Sequence, residues 1–188
     1  MDILLFNVEW MTFNIILAFL GVILGIVFLY IKNKFLKTII FLVWILYLPN
    51  TIYLITDTQH FWGQWLKLNP SLHWYLLIQY IVLVCIGVIT FLLSFYLLDK
   101  FLTQSKIKKD KSLIIFILIF MNYLISFGVA LGRIERLNSY EAIINPLKVI
   151  SASLKLLSSP EAIIAIIIFG TFTNFLYFFF RKKIKIKM

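Results

Sequence analysis

A short polar segment follows an apolar run in the first third of the chain, and its side chains could do chemistry. Its polar members are spaced three, four and three residues apart: Asn50, Tyr53, Asp57 and His60. On a helix these side chains would share one face. An imidazole near a carboxylate can act as a general acid or base that the carboxylate orients. His60 and Asp57 are therefore the candidates for catalysis.

A second polar segment, after a later apolar run, offers cationic groups. Arg133 and Arg136 are three residues apart and would point the same way if the helix continues past Gly132, and Asn138 follows. Arginine suits bidentate contact with a carboxylate or a phosphate. In one interpretation, an ion pair of Asp57 with either arginine locks two spans together. In the other, one arginine pairs with Asp57 and the second holds an anionic lipid or lipid-linked phosphate head group.

Metal binding and covalent catalysis are weaker interpretations of the same segments. Asp57 and His60 could provide two ligands and His73 a third, as in zinc sites with an open position. No residue can be named that would orient these ligands, so we predict no metal. Ser139 lacks the spacing of a nucleophile elbow, and we expect Cys85 to be buried because it lies in an apolar run. No phosphate-binding glycine loop or other cofactor motif is present, so no cofactor is predicted.

The composition indicates the class of protein in which these groups are positioned. Of 188 residues, 62% are hydrophobic and 14% charged, and the mean hydropathy is +0.99. A soluble domain is about half apolar and about a quarter charged, so the chain belongs in a membrane and we expect lipids as its partners. Its length allows about five spans of about 20 residues each. The net charge of +10 comes from lysines at the ends of apolar runs, not from a nucleic-acid-binding motif, so no nucleic acid partner is predicted.

We therefore predict an all-α fold, a single domain over residues 1–188 in which five transmembrane helices form a bundle. The predicted spans are residues 11–31, 35–55, 74–98, 112–131 and 160–180. The outer loops are residues 56–73 and 132–159.

Local signals refine this picture. Gly21 and Gly25 form a small-xxx-small face that would let a neighbouring helix approach closely. Asn138 with Glu141 three residues later resembles a helix start. The fifth span starts at Ser159-Pro160-Glu161, which supplies a cap, an N1 proline and an acid in the first turn. Residues 146–157 read as a short amphipathic helix in the membrane interface. Its apolar face consists of Leu147, Ile150, Leu154 and Leu157.

The distribution of basic residues predicts the orientation. Thirteen of the 18 lysines and arginines fall in residues 32–37, 100–111 and 181–187, which share one side of the membrane. By the positive-inside rule that side is cytoplasmic, so the N-terminus lies outside and the C-terminus inside. The second and fourth spans leave the membrane on the same side because two crossings separate their ends. The two polar segments can therefore meet at the outer face.

The two segments also carry a resemblance to a known family. The first contains Trp44, Leu48-Pro49-Asn50, Tyr53, Thr56-Asp57 and His60. The second contains Gly132-Arg133, Arg136 and Asn138-Ser139, followed by Tyr140, Glu141 and Pro146. In these residues the chain resembles a family of multi-pass bacterial membrane proteins known as domain of unknown function thirteen-sixty-one, with Tyr140 and Glu141 in place of Trp and Asp. The resemblance implies a protein of the bacterial cytoplasmic membrane and no established activity.

Three hypotheses about function follow. The first is an outer-face polar pocket that binds an anionic lipid head group or a membrane protein partner, built from Asn50, Tyr53, Asp57, His60, Arg133, Arg136 and Asn138. The alternative is a membrane-embedded hydrolase or transferase acting on a lipid-linked phosphate, with His60 as acid or base and the arginines as a charge clamp. A proton-coupled carrier ranks last, because the polar residues deep in the spans are neutral: Asn50, Gln79, Asn122 and Asn174.

Overall fold

The structure, a computed structural model, describes residues 2–105 and 110–185, and within them it contains α-helices and short 3₁₀ helices but no strand. The α-helices are α1 (Asp2–Tyr30), α2 (Lys34–Thr56), α3 (Phe61–Trp65), α4 (His73–Gln104), α5 (Lys111–Ile134), α6 (Glu141–Ile144), α7 (Pro146–Leu157) and α8 (Pro160–Lys185). The 3₁₀ helices are Asp57–His60 and Pro70–Leu72. The predicted basic loop at Lys106, Lys108 and Lys109, and the terminal Lys187, lie outside the described residues.

Among the described residues, five helical segments are long and apolar enough to cross a membrane, which confirms the predicted fold class. They are Ile3–Tyr30, Lys34–Trp65, Pro70–Gln104, Lys111–Ile134 and Pro160–Lys182. The first begins about two turns before Met11, where the sequence placed its start, because the polar Asn7 finds hydrogen-bond partners. Large apolar side chains remain exposed along all five. Cys85 is also exposed, so the expectation of burial was wrong, since an apolar helix face can meet lipid instead of protein.

The chain divides into two compact units, Met1–Ser94 and Phe95–Met188, and the division falls within α4. In the first unit α1 packs against α2. A Cβ added at Gly21 would lie 2.8 Å from Thr51 Cγ2, and one at Gly25 would lie 2.8 Å from the Trp44 ring. The predicted close approach at these two glycines is confirmed.

The chain between α2 and α4 is mostly helical, whereas the sequence predicted a loop at residues 56–73. The 3₁₀ turn Asp57–His60 continues α2 into α3. His73 closes the following turn: its Nε2 lies 3.0 Å from the carbonyl oxygen of Trp65 and 3.2 Å from that of Leu68. Its ring stacks on the Trp65 indole at 3.9 Å between centroids. Leu68 is buried, so the turn is anchored in the core of the first unit.

In the second unit α5 packs against α8 and α7, with Ala130, Leu156 and Ala162 at the centre of their contact. The predicted amphipathic helix is confirmed as α7. Its predicted apolar face is exposed and Ala152 and Leu156 on the other side are buried. An exposed apolar face is what a helix in the membrane interface requires, and that location stays a prediction.

The predicted helix starts of the second unit also appear. Glu141 begins α6, and its carboxylate accepts a hydrogen bond from the Asn138 N–H at 2.7 Å. The Ser159 hydroxyl accepts a hydrogen bond from the Ala162 N–H at 3.3 Å in the first turn of α8. Both contacts satisfy backbone donors that a helix N-terminus leaves unpaired.

Candidate functional site

The four candidate residues of the first unit lie at the end of α2 and in the turn that follows. Asn50 and Tyr53 are half-buried in α2, Asp57 is only 2% exposed and His60 is exposed. The Asn14 amide on α1 donates a hydrogen bond to Asp57 Oδ2 at 3.0 Å. A buried carboxylate is costly unless it accepts hydrogen bonds, and the Asn14 amide supplies one of them.

His60 is in a different environment from the buried Asp57. Its Nε2 lies 3.3 Å from the Gln59 side-chain nitrogen, and its ring meets the Trp10 indole edge-on at 6.2 Å between centroids. It also lines an open cleft of about 510 Å³. The cleft is walled by Ile3, Phe6, Gln59, His60, Gly63, Gln64 and Lys67.

Next to the cleft lies a partly buried network of neutral side chains that the sequence did not predict. We call it the amide network; its members are Asn7, Trp10, Gln64, Gln79 and Tyr80. Asn7 and Gln64 exchange two hydrogen bonds, at 2.7 and 2.9 Å. The Trp10 indole donates to Asn7 at 3.0 Å and the Tyr80 hydroxyl to Gln64 at 3.1 Å. Asn7 is fully buried. Its position as a polar residue in an apolar stretch is the sequence feature that could have indicated the network.

The arginines of the second unit are separated by a helix end. Arg133 lies half-buried in the last turn of α5, which ends at Ile134. Arg136 has a backbone φ of 54° and is exposed, and the next N–H, that of Leu137, turns back to the Leu131 carbonyl at 3.3 Å. The helix therefore continues past Gly132 but stops short of Arg136. The sequence placed the two arginines on one face only if a helix included both, and this condition is not met.

The acids near these arginines pair with lysines of α7. Lys155 Nζ lies 3.0 Å from Glu135, and Lys148 forms an ion pair with Glu141. Hydrogen bonds from Lys148 and from the Asn138 N–H lower the pKa of Glu141 below its usual value. Asn138 thus serves the start of α6 through its backbone, while its side-chain amide donates to the Tyr140 hydroxyl at 3.3 Å.

A second buried polar group, which we call the Asp99 cluster, was also missed by the sequence. Asp99 is 1% exposed and lies near the end of α4. It accepts hydrogen bonds from Arg181 Nε at 2.7 Å, from Arg181 Nη2 at 3.0 Å and from the Tyr177 hydroxyl at 2.8 Å. From the sequence alone, Arg181 was counted only among the basic residues of 181–187.

The residues proposed for a metal site are not gathered into one. Within residues 2–105 and 110–185, no group of three or more histidine, cysteine, aspartate or glutamate side chains could hold a metal ion. His73 directs its Nε2 at two backbone carbonyls instead.

The seven candidate residues fall into two sets. Asn50, Tyr53, Asp57 and His60 belong to the first unit, and Arg133, Arg136 and Asn138 belong to the second. Their meeting in one pocket stays a prediction.

Comparison with known proteins gives a family and no activity. The sequence profile described as "Protein of unknown function (DUF1361)" matches residues 13–176. That range covers most of the chain, so the protein belongs to this family, as its sequence motifs indicated. Neither a curated protein nor a solved structure matches it.

Proposed function

We propose that this member of the DUF1361 family is a multi-pass protein of the bacterial cytoplasmic membrane that binds an anionic lipid head group at its outer face. In this proposal the N-terminus is outside and the C-terminus is cytoplasmic. The head group is held by the second-unit members of the predicted polar pocket, which are Arg133, Arg136 and Asn138. The observation that carries the proposal is the charge balance around Arg136.

The segment that contains Arg136 has more positive than negative groups. Its two acids, Glu135 and Glu141, are each paired with a lysine of α7. In the part of the chain that the structure describes, no acidic side chain pairs with Arg136. An exposed guanidinium without a counter-charge attracts an anion, and its planar donors match a phosphate group.

The backbone at Arg136 points in the same direction. A left-handed conformation costs a non-glycine residue about 1–3 kcal/mol and is found where function requires it. Glycine would adopt the φ of 54° at no steric cost and is the usual residue just after a helix end. An arginine there supports a role for its side chain.

The neighbouring helix supports a lipid as the ligand. The apolar side chains of α7 that face away from the second unit include Leu147 at 77% and Leu154 at 65% exposed. A helix of this kind buries such side chains at the boundary between head groups and acyl chains. Arg136 is close in sequence to this helix, and the Glu135–Lys155 ion pair ties the end of α5 to it. The guanidinium would then lie at head-group depth.

The test is native mass spectrometry of the purified protein with phosphatidylglycerol and phosphatidylcholine, comparing the wild type with Arg136→Gln. The matched control is Lys148→Gln, which removes one charge from the same segment but from a lysine that already has a partner. We expect Arg136→Gln to weaken phosphatidylglycerol binding about fivefold, the effect of one basic residue at an anionic lipid surface. Lys148→Gln should change it much less.

Three results would contradict the proposal. Equal losses in both variants would mean that only net charge matters. Unchanged binding in Arg136→Gln would mean that no head group is held there, and co-purification of a protein in place of lipid would favour a membrane protein partner.

A second candidate is a membrane-embedded hydrolase or transferase acting on a lipid-linked phosphate. It is favoured by the contrast between a buried carboxylate at Asp57 and an exposed imidazole at His60 beside a cleft. His60 would take a proton from the attacking water or alcohol as the phosphorus–oxygen bond of the lipid breaks. Release of phosphate from a polyprenyl diphosphate should then fall at least about a hundredfold in His60→Gln. No release by the wild type would eliminate this candidate.

A further inference from the structure

The cleft beside His60 has two chemically different walls. Ile3 and Phe6, from the first turns of α1, are apolar, and Phe6 is 64% exposed. The opposite wall is polar and comes from the 3₁₀ turn, α3 and the residues after it. Lys67 stands on this wall, and none of the seven lining residues is acidic. The cleft is thus apolar along one side and cationic along the other.

We infer that this cleft is a phospholipid site within the first unit, with the lipid phosphate at Lys67 and an acyl chain along Phe6 and Ile3. It is independent of the site proposed at Arg136, because every lining residue belongs to the first unit. Its volume of about 510 Å³ is too small for a whole lipid and fits a head group with the start of a chain. Pockets for small ligands are of this size, about 300–1,000 Å³.

Charge favours an anionic occupant. Lys67 is exposed, and in the described part of the chain it has no ion-pair partner. The two carbonyl contacts of His73 fix the turn from Trp65 to Leu68 on which Lys67 is carried. Lys67, which lines the cleft, is therefore carried by a folded turn.

The surroundings favour a membrane lipid over a soluble phosphate. Exposed aromatic side chains flank the cleft in sequence on both sides of Lys67: Trp62 at 64%, Trp74 at 72% and Tyr75 at 62% exposed. Tryptophan and tyrosine are enriched at the depth of lipid head groups. A site at that depth meets lipids in excess over soluble ligands.

The polar wall of the cleft is held in place by hydrogen bonds within the protein. Gln64 lines it, yet both ends of the Gln64 amide are used by Asn7 and Tyr80. Gln64 therefore shapes the cleft, while Lys67 is the lining group that meets the phosphate in this inference. A site with such fixed walls loses little entropy on binding.

Gly63 offers a way to close the cleft without disturbing the protein around it. It lines the cleft, and a Cβ added to it would meet no atom within 4 Å. A tryptophan there would grow into open space and occupy the site. Alanine at the same position is the matched control, because it adds only the Cβ.

The experiment uses the full chain in phosphatidylcholine nanodiscs with a trace of phosphatidylglycerol that carries a photoactivatable acyl chain. Cross-linked peptides are identified by mass spectrometry. We expect cross-links to residues 3–6 and 59–67. They should fall about fivefold in Lys67→Gln and more in Gly63→Trp. Gly63→Ala and Arg136→Gln should leave them unchanged, which separates this site from the one at Arg136.

Three outcomes would overturn the inference. Equal cross-linking by a phosphatidylcholine probe would show that the cleft does not select an anionic head group. Loss of the cross-links on addition of free glycerol phosphate would identify a soluble phosphate compound as the occupant. Lys67 is exposed, so Lys67→Gln should fold; if its cross-links are unchanged, Lys67 does not bind the head group. This conclusion does not depend on whether Gly63→Trp folds.

Discussion

The amide network of the first unit and the Asp99 cluster of the second keep polar groups inside apolar helices by different chemistry. The first uses neutral amides, with Asn7 fully buried at its centre. The second uses a carboxylate at 1% exposure, a bidentate guanidinium and a phenol. Neutral groups lose less solvation on burial than charged ones do. The first unit should therefore tolerate the loss of one member better than the second.

The largest effect is expected from Asp99→Asn. The substitution keeps the shape of the side chain but leaves the partly buried Arg181 without its counter-charge. Breaking one half of a buried pair costs about 3–5 kcal/mol. Unfolding of the purified protein in mixed detergent micelles, followed by circular dichroism, measures the loss.

The matched control for that prediction removes both charges. Asp99→Leu combined with Arg181→Met should be more stable than either single variant, because no charge is left unpaired. If Asp99→Asn unfolds like the wild type, the cluster is not what holds α8 to α4.

Asn7→Ala should have a smaller effect, about 1–3 kcal/mol. The Trp10 indole and the Gln64 amide each lose a buried acceptor, but no charge is stranded. The same unfolding measurement applies, with Glu9→Gln, on an exposed position of the same helix, as the control. A loss as large as that of Asp99→Asn would remove the distinction between the neutral and the charged group.

The helix contacts of the two units can be compared in the same way through Gly25→Ala and Gly170→Ala. At Gly25 the new Cβ meets the fully buried Trp44 ring, which has nowhere to move, so we expect a loss of about 1–3 kcal/mol. At Gly170 it would lie closer to Tyr123 Cδ1 than the Cβ at Gly25 would lie to any atom, and the Tyr123 hydroxyl is 3.2 Å from the Thr171 hydroxyl. We therefore expect Gly170→Ala to cost more than Gly25→Ala. Thermal unfolding decides, and a more costly Gly25→Ala would reverse the ranking.

The smallest effect concerns the exposed Glu141–Lys148 pair. The pKa of Glu141 is lowered from 4.5 by the hydrogen bonds from Lys148 and the Asn138 N–H. The folded-state pKa is thus the lower one, so the contribution to stability is complete above the unfolded-state value and is lost as the pH falls through the folded-state value. The amide proton of Asn138, followed by NMR, should titrate below 4.5.

Two lysine variants test the cause of that shift. Lys148→Gln should raise the midpoint of the titration, because it removes the strongest hydrogen bond to Glu141. Lys155→Gln should not, because Lys155 pairs with Glu135. Equal shifts in both would indicate a general charge effect.

Much of the fold could be predicted because its signals are local. Apolar runs of about 20 residues indicate spanning helices. The pattern of residues 146–157 and the start signals at Asn138 and Ser159 depend on neighbours within a few positions, and all three appear in the structure. The spacing of Gly21 and Gly25 likewise showed which face of α1 another helix could approach.

The polar chemistry could not be predicted because its partners are distant in the sequence. Arg181 lies 82 residues from Asp99, and nothing local distinguishes it from the basic tail. The helix end before Arg136 was missed for another reason. Glycine is the usual residue in a left-handed conformation just after a helix end, and here the residue is Arg136. The sequence therefore contained no residue that indicated where the helix ends.

Asn7 also has a consequence for how the first unit is made. Gln64 and Gln79, its hydrogen-bond partners, lie 57 and 72 residues further along the chain. Synthesis proceeds from the N-terminus, so α1 is complete long before either partner has left the ribosome. Its amide must stay hydrated or loosely solvated until the start of α4 is translated. Asn7, on the helix that is made first, is therefore among the last polar groups of the first unit to find all its partners.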